Sequence, residues 1–115
     1  MPVTSRKIKV SFQKEGVHKY PKAPKAVEFL KYPHRHIFHF YVTLEVFHND
    51  RDVEFILFKR DLELLFRADI MQADNKSCEM LAEDLLDYLE INYPGRFVQV
   101  EVYEDDENGA ILSNG

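Results

Sequence analysis

A long run of alternating apolar and polar side chains occupies the first half of this sequence. Residues 36–47, HIFHFYVTLEVF, are dense in the aromatic and β-branched residues that favour strands. After His36, the even-numbered positions of this run are apolar: Phe38, Phe40, Val42, Leu44 and Val46. Because successive side chains of a strand point to opposite faces, the pattern predicts a strand with one buried face that begins at a histidine.

Two other segments show the same two-residue period. Near the start of the chain, polar residues alternate with Ile8, Val10 and Phe12. Near its end, residues 97–104 carry valines at every second position: Val98, Val100 and Val102. Both patterns are typical of half-buried strands, so we expect a first strand and a long final strand that share a core with residues 36–47.

Turn residues next to these strands predict two hairpins. The first group is Asn49, Asp50 and Asp52. After it, we expect residues 53–58 to return as a third strand. The second signal is Asn108-Gly109, which predicts a turn followed by a short strand at residues 110–112.

The hydrophobic period changes between these strands and favours two helices. Leu62, Leu65 and Phe66 predict a helix over about residues 60–71. A second helix is expected to begin near Ser77, whose hydroxyl can cap free N–H groups, and to end at Pro94-Gly95. Its apolar stripe consists of Leu81, Leu85 and Leu89. The order of elements predicts one α+β domain over residues 1–115, an antiparallel sheet with two helices on one face.

Composition excludes several classes of partner and places the chain in a compartment. The formal net charge of −5 argues against nucleic acid, which needs clustered cationic side chains. A single cysteine, Cys78, excludes an intramolecular disulfide framework. No apolar run follows Met1, so neither a signal peptide nor a membrane span is expected. These features predict a cytoplasmic protein without a membrane partner.

Three histidines form a candidate metal site. His34 and His36 are two positions apart, so on a strand their side chains leave on the same side and can reach one ion. His18 begins a long proline-rich loop that is expected to fold back to this strand. Catalytic zinc sites take three protein ligands and leave one position open. The alternative is that these are solvated loop histidines with no ligand.

Glu104 ends the apolar row of the final strand. If that strand runs antiparallel to residues 36–47, its end lies near their beginning, and the carboxylate and the histidines share one rim of the sheet. The alternative is that Glu104 only begins a solvated acidic run, residues 104–107. Both interpretations are open from spacing alone.

These segments together resemble the 6-pyruvoyl- and 6-carboxy-tetrahydropterin synthases. VHKYPKAP followed by HRHIFHFYVTLEV resembles the family's A-A-H-R-L-P loop and its H-G-H strand. VEFILFKRDLELLF, NKSCEMLAEDLLDYL and VQVEVYED resemble three later motifs in the same order. The resemblance implies that Zn²⁺ is bound by His18, His34 and His36, and that Glu104 anchors a pterin ring. It also implies the tunnelling fold, in which subunits join their sheets into a barrel and form hexamers.

The sequence departs from the family at positions that carry its chemistry. Leu30 stands where the synthases have their nucleophilic cysteine, and Phe58 occupies the position of a motif aspartate. The segment RADIMQADNK between the helices contains no histidine, so the family's Asp-His relay has no counterpart. Arg35 replaces the glycine of H-G-H. Glu28 is a weak candidate for a replacement base, because a variant subgroup uses a glutamate.

Three functions are therefore open. The first is a zinc-containing protein that holds a pterin- or purine-like ligand without the standard synthase reaction. The second is an active zinc-dependent lyase with altered chemistry. The third is a structural oligomer whose histidines bind no metal. His39 lies on the opposite side of the strand from His36 and is left out of the predicted site.

Overall fold

A computed structural model describes residues 2–115, which form five strands, two α-helices and one 3-10 helix. The strands are β1 (Lys7–His18), β2 (His34–Glu45), β3 (Met71–Asp74), β4 (Val98–Glu104) and β5 (Asn108–Ser113). The helices are the 3-10 helix Lys25–Lys31, α1 (Phe55–Glu63) and α2 (Cys78–Asn92). The strands make one open sheet in the order β3-β1-β2-β4-β5, so the predicted α+β class is confirmed.

The sheet is mixed rather than wholly antiparallel. β2 pairs antiparallel with β1 and with β4, and β4 pairs antiparallel with β5, but β3 runs parallel to β1 beside residues 16–18. The start of β3 was predicted to be the end of a helix. This strand has only four residues and lacks β-branched or aromatic side chains, so its pairing with β1 determines its conformation rather than local propensity.

The core lies on the predicted apolar face of the sheet. The side chains of β2 at positions 38, 40, 42 and 44 and the valines of β4 are fully buried. Phe12 and Phe40 stack across the β1–β2 pair with ring centroids 4.9 Å apart. Both α-helices contribute to this same core through Phe58, Leu62 and the leucines of α2. The prediction of two helices on one face of the sheet is thereby confirmed.

Residues 53–66 contradict the prediction of a third strand followed by a helix over residues 60–71. They contain one short helix, α1, whose start is capped by Glu54: its carboxylate accepts a hydrogen bond from the Leu57 N–H at 2.8 Å. Phe58 and Leu62 are four residues apart and both enter the core, which is helical spacing. A short apolar run such as FILF is compatible with either element, and the cap and the core contacts determine the helix.

Helix α2 begins and ends where the sequence predicts. The Ser77 hydroxyl accepts a hydrogen bond from the Met80 N–H at 3.2 Å, and the last helical residue, Asn92, lies two positions before Pro94. Its predicted apolar stripe is buried against β4 and β5. Within residues 2–115, no helix has both the length and the apolar character that a membrane crossing requires.

The hairpin between β4 and β5 is confirmed, but its turn lies at residues 105–107 rather than at Asn108-Gly109. Asp105 and Asp106 adopt left-handed backbone conformations, with φ of 53° and 57°, which aspartate tolerates better than most residues. The turn brings Asp105 back against β2, where its N–H donates to the Ile37 carbonyl at 2.8 Å.

At the opposite end of the sheet, Asp52 holds three segments together. Its carboxylate accepts hydrogen bonds from the Phe47 N–H at 2.8 Å and from Arg96 at 2.9 Å. Arg96 also donates to the Glu45 carbonyl at 3.0 Å. The Phe47 N–H, followed by Arg96, lowers the pKa of Asp52 below its ordinary value.

Because the pKa of Asp52 is lowered in the folded state, its ionised form stabilises the protein at neutral pH, and this contribution is lost as the pH falls through the folded-state pKa. We expect Asp52→Asn to unfold at lower urea concentration than the unsubstituted protein at neutral pH. The difference between the two should narrow as the pH falls below about 4, the ordinary pKa of an aspartate, and towards the lower pKa of the folded state. Urea unfolding across this range measures it, and a constant difference would contradict the assignment.

Candidate metal centre

The three predicted histidines meet where β1 ends and β2 begins. His18 is the last residue of β1 and pairs directly with His34, the first residue of β2. His36 follows two positions later and faces the same side of the sheet. The prediction that His18 begins a loop is wrong: β1 continues past Gly16, so all three side chains stand on paired strands. A rigid strand pair therefore determines their spacing.

We call His18, His34 and His36 the histidine cluster. Each imidazole offers one nitrogen such that all three nitrogens lie within 4.8 Å of one another. The centroids of the His18 and His34 rings are 4.5 Å apart, and those of His34 and His36 are 5.1 Å apart. His18 is buried, whereas His34 and His36 are partly exposed. The cluster can thus hold one metal ion at the rim of the core.

Hydrogen bonds orient every ring of the cluster. The Nδ1 atom of His18 lies 2.9 Å from the Lys76 carbonyl, and that of His34 lies 2.8 Å from the Tyr32 carbonyl. The Nδ1 atom of His36 lies 2.7 Å from Oδ2 of Asp105. Carbonyl and carboxylate oxygens only accept, so each Nδ1 carries the proton that it donates. In the neutral rings, the lone pair on each Nε2 is then free to bind a metal.

Two Nε2 atoms of the cluster, those of His18 and His36, are buried without a hydrogen-bond partner among residues 2–115. Buried polar atoms are almost always satisfied, because an unpaired one costs about 1–3 kcal/mol. The nearest oxygens belong to Glu104, at 3.2 Å from His18 Nε2 and 3.3 Å from His36 Nε2, but without hydrogen-bond alignment. A cation among these atoms would satisfy all of them, so the donor set fits a metal ion.

Glu104 lies at the same rim as the cluster. It is the last residue of β4 and pairs with Phe38 of β2, which places its side chain beside those of His36 and His18. Its contact with His18 lowers the pKa of Glu104 and raises the pKa of His18. Protons therefore compete with a metal for His18, and metal binding should release them.

A groove of about 700 Å³ opens beside the cluster. Its walls include His18, His34 and Glu104 together with Leu30, for which the sequence resemblance predicts the position of the synthase cysteine. Cys78 lies on the same wall because α2 begins there, and its Sγ is 3.9 Å from Oε1 of Glu104. Burial raises the pKa of Cys78 to about 12, so it is a protonated thiol at neutral pH. Three lysines also line the groove: Lys19, Lys22 and Lys76.

Other residues that the sequence singles out lie elsewhere. Glu28 is in the 3-10 helix, where it pairs with Lys31 at 3.1 Å, and it is not among the residues that line the groove. His39 faces the other side of the sheet, 4.0 Å from Asp106. Arg35 forms an ion pair with Glu15 of β1 at 2.7 Å.

Phe38 and Gly16 form the floor of the cluster. The edges of the His18 and His36 rings pack against Phe38, with centroid distances of 5.2 and 5.9 Å. Gly16 lies so close to this ring that a Cβ there would come within 2.9 Å of it. The glycine thus permits the close approach that seats Phe38 below the two imidazoles.

The residues that orient the cluster were not predicted from the sequence. Two of them, Lys76 and Tyr32, act through backbone carbonyls and leave no signal in residue type. The sequence singled out Asp105 only as a member of the acidic run 104–107, for which solvation was one of two open interpretations. The antiparallel register that predicted the place of Glu104 also puts the next residue at the beginning of β2, so spacing contained a signal for it.

Asp105→Asn is expected to lower the affinity of the cluster for a metal ion by about 10–100-fold, because the carboxylate fixes the ring of His36 and makes its Nε2 more basic. The pKa of Asp105 is lowered, first by the His36 contact, so the charged form is the one that acts. Competition with a chromophoric chelator measures the affinity. Asp106→Asn is the matched control from the same turn, and an equal loss in both variants would contradict a specific role for Asp105.

Comparisons with known proteins identify a fold but no family. No family model matches the chain, and no curated protein matches it. A crystal structure of an uncharacterized protein from Wolinella succinogenes is similar, with a TM-score of 0.71 and 16% sequence identity. The similarity covers 98% of this chain and 100% of that one. At this identity it shows the fold alone. Fold and site together define an α+β protein with three histidines close enough to bind a metal ion.

Proposed function

We propose that this protein is a zinc-binding relative of the 6-pyruvoyl- and 6-carboxy-tetrahydropterin synthases that holds a pterin- or purine-like ligand without the standard synthase reaction. The observation that carries the proposal is the orientation of the histidine cluster. Each Nδ1 atom faces an acceptor, and the three Nε2 lone pairs are left for one ion. Solvated loop histidines would have no reason to be fixed in this way.

The donor set favours zinc. Neutral imidazoles suit Zn²⁺ in softness and geometry, and three protein ligands are the number found in zinc sites that keep a position for a further ligand. His18, His34 and His36 would hold the ion. When bound, zinc supplies a Lewis acid that polarises an oxygen of a ligand or of water.

The groove supports a small-molecule ligand. A volume of about 700 Å³ lies in the usual range for small-molecule sites. Glu104 faces it with a carboxylate whose lowered pKa keeps it ionised at neutral pH. A carboxylate accepts two parallel hydrogen bonds from an N–C–N edge such as that of a pterin or purine ring. This planar, nitrogen-rich class is therefore the ligand that we propose.

The groove lining favours binding over the synthase reaction, because the described residues offer no thiolate there. Leu30 provides no thiol, and Cys78 remains protonated because its pKa is raised to about 12. An active lyase with altered chemistry is the second candidate, and the groove lysines are the observation in its favour, because they match a phosphorylated substrate in charge.

We further propose that the chain acts as a homo-oligomer. Within residues 2–115, β3 pairs only with the end of β1, so residues 7–15 of β1 have no neighbouring strand on one edge. The outer edge of β5 is also unpaired in this range. Unpaired edges readily accept another strand. Exposed apolar side chains lie on α1: Phe55, Ile56 and Leu57. Phe55 and Ile56 line a pocket together with Lys9, Val10 and Ser11 of the unpaired part of β1.

Metal analysis and ligand incubation test the proposal together. Protein purified without a histidine tag and supplied with zinc should retain close to one equivalent per chain by inductively coupled plasma mass spectrometry. Retention well below one equivalent would contradict the metal site and favour a metal-free structural oligomer. Incubation with dihydroneopterin triphosphate should show binding without conversion. Formation of a pyruvoyl- or carboxy-tetrahydropterin product would overturn the binding function in favour of the lyase.

A further inference from the structure

The carboxylate of Glu104 lies against the metal-binding side of two cluster histidines. Its Oε1 atom is 3.2 Å from Nε2 of His18, and its Oε2 atom is 3.3 Å from Nε2 of His36. Both nitrogens are buried and lack a hydrogen bond to any residue of the range 2–115. The carboxylate therefore lies directly against the nitrogens that His18 and His36 can offer to a metal ion.

This arrangement places hydrogen-bond acceptors of the histidine rings opposite those of the carboxylate. With Nδ1 of both rings donating to oxygens, the neutral rings present lone pairs on Nε2. A carboxylate oxygen also presents lone pairs, so two groups of the same polarity face each other at close range, away from water. Only a positive charge between them makes the contact favourable. That charge is either a proton on each ring or a metal ion shared by all the groups.

The distances are compatible with a metal ion, and the absence of hydrogen-bond alignment favours the metal ion over protons. Tetrahedral zinc holds its ligand atoms about 2.0–2.1 Å from the ion, which places neighbouring ligand atoms about 3.3–3.4 Å apart. The separations of 3.2 and 3.3 Å between Glu104 and the two Nε2 atoms are close to this ligand-to-ligand spacing. Protonated rings would instead be expected to point their N–H groups at the carboxylate, and neither Nε2 does so.

We propose that Glu104 is the fourth ligand of the metal in the ligand-free protein, so that the site is His₃Glu and an incoming ligand must displace the carboxylate. This inference rests on the proposed metal site. It assigns to Glu104 a second role beside anchoring a planar ligand: the carboxylate released from the metal becomes free to accept hydrogen bonds from the ligand that replaced it.

Cys78 supports the assignment from the other side of the carboxylate. Its thiol donates to Oε1 of Glu104 at 3.9 Å, a weak hydrogen bond to the oxygen nearest His18. Groups that hydrogen-bond to ligating carboxylates orient them. Together with Asp105 behind His36, the thiol gives the four-ligand site outer contacts on two sides.

Cobalt substitution of the full chain tests the fourth ligand directly, because the visible absorption of Co²⁺ depends on both the number and the kind of its ligands. The unsubstituted protein should give the intense bands of a four-coordinate ion. Glu104→Gln should shift these bands, because a water molecule replaces the carboxylate as the fourth ligand, and should lower zinc affinity at least ~10-fold, since a charged ligand is lost. Glu107→Gln removes the same charge from the exposed turn and should match the unsubstituted protein.

The outcomes separate this inference from the metal site itself. If the unsubstituted protein binds no Co²⁺ or Zn²⁺, the proposed function fails and the inference with it. If Glu104→Gln binds both ions with unchanged affinity and spectrum, the metal site stands and the fourth ligand is refuted. The melting temperature of the metal-free variant is a third readout. We expect no loss there at alkaline pH, where the rings are neutral and the contact brings only acceptors together. A marked loss would show a structural ion pair with protonated histidines instead.

Discussion

Replacing His18, His34 or His36 singly with alanine is expected to lower zinc affinity by about 10²–10³-fold. Structural zinc sites in small peptides contribute about 10–16 kcal/mol from four ligands, which is roughly 3–4 kcal/mol for each. Because strand pairing fixes the positions of the cluster, the two remaining rings cannot move to compensate. Loss of one ligand therefore removes most of its share of the binding free energy.

Chelator competition or calorimetry with each purified variant measures this loss. His39→Ala is the matched control, because His39 lies on the same strand but faces away from the cluster, next to Asp106. Its zinc affinity should remain within a factor of about two of the unsubstituted protein, as expected for a residue outside the ligand set. A comparable loss in all four variants would show that the ligand assignment is wrong.

The second large effect is expected at Gly109, where alanine should destabilise the protein by more than about 2 kcal/mol. Gly109 lies opposite Tyr103 in the β4–β5 pair. An added Cβ would overlap the Val102 carbonyl oxygen and would lie 2.6 Å from Cδ1 and 2.7 Å from Cα of Tyr103. Two of these three atoms are backbone, so the hairpin itself must distort to make room.

Gly95→Ala separates this collision from the general cost of replacing glycine. Gly95 has a φ of +77°, and within residues 2–115 no atom comes within 4 Å of the place that an added Cβ would take. Only backbone strain of about 1–2 kcal/mol therefore opposes the change. Urea unfolding should rank Gly109→Ala as the less stable of the two. The reverse order would show that β5 accommodates a side chain at position 109.

The elements that were predicted correctly are determined by residues within their own segments. Strands β2 and β4 alternate without interruption, and α2 has both a capping serine and a proline after its end. The segment 53–66 has neither a clear alternation of apolar and polar residues nor a clear pair of helix start and stop signals. Its apolar run fits a strand or a helix, and the contacts of Phe58 and Leu62 with the distant sheet decide between them. β3 depends entirely on its partner, β1.

The residues of the candidate site also fall into those that the sequence predicted and those that it did not. The two-residue spacing of His34 and His36 predicted that their side chains share one face of the sheet. Glu104 was predicted to lie on the same face because it continues the alternating apolar row of β4. The structure brings these side chains together. The backbone carbonyls that orient His18 and His34 depend on the course of loops, which residue type does not reveal. The synthase relationship remains a prediction, because a neighbour at 16% identity shows the fold alone.

In the turn after β4, where Asp105 has a left-handed backbone conformation, its side chain contacts both the sheet and the histidine cluster. One oxygen of its carboxylate accepts the Ile37 N–H at 2.9 Å, while the other orients His36. The same side chain thus closes the end of the β2–β4 ladder and aims an imidazole. Opening of this hairpin therefore also releases the ring of His36 from its orientation. Metal occupancy of the site and protection of the Ile37 amide from hydrogen exchange should accordingly increase and decrease together.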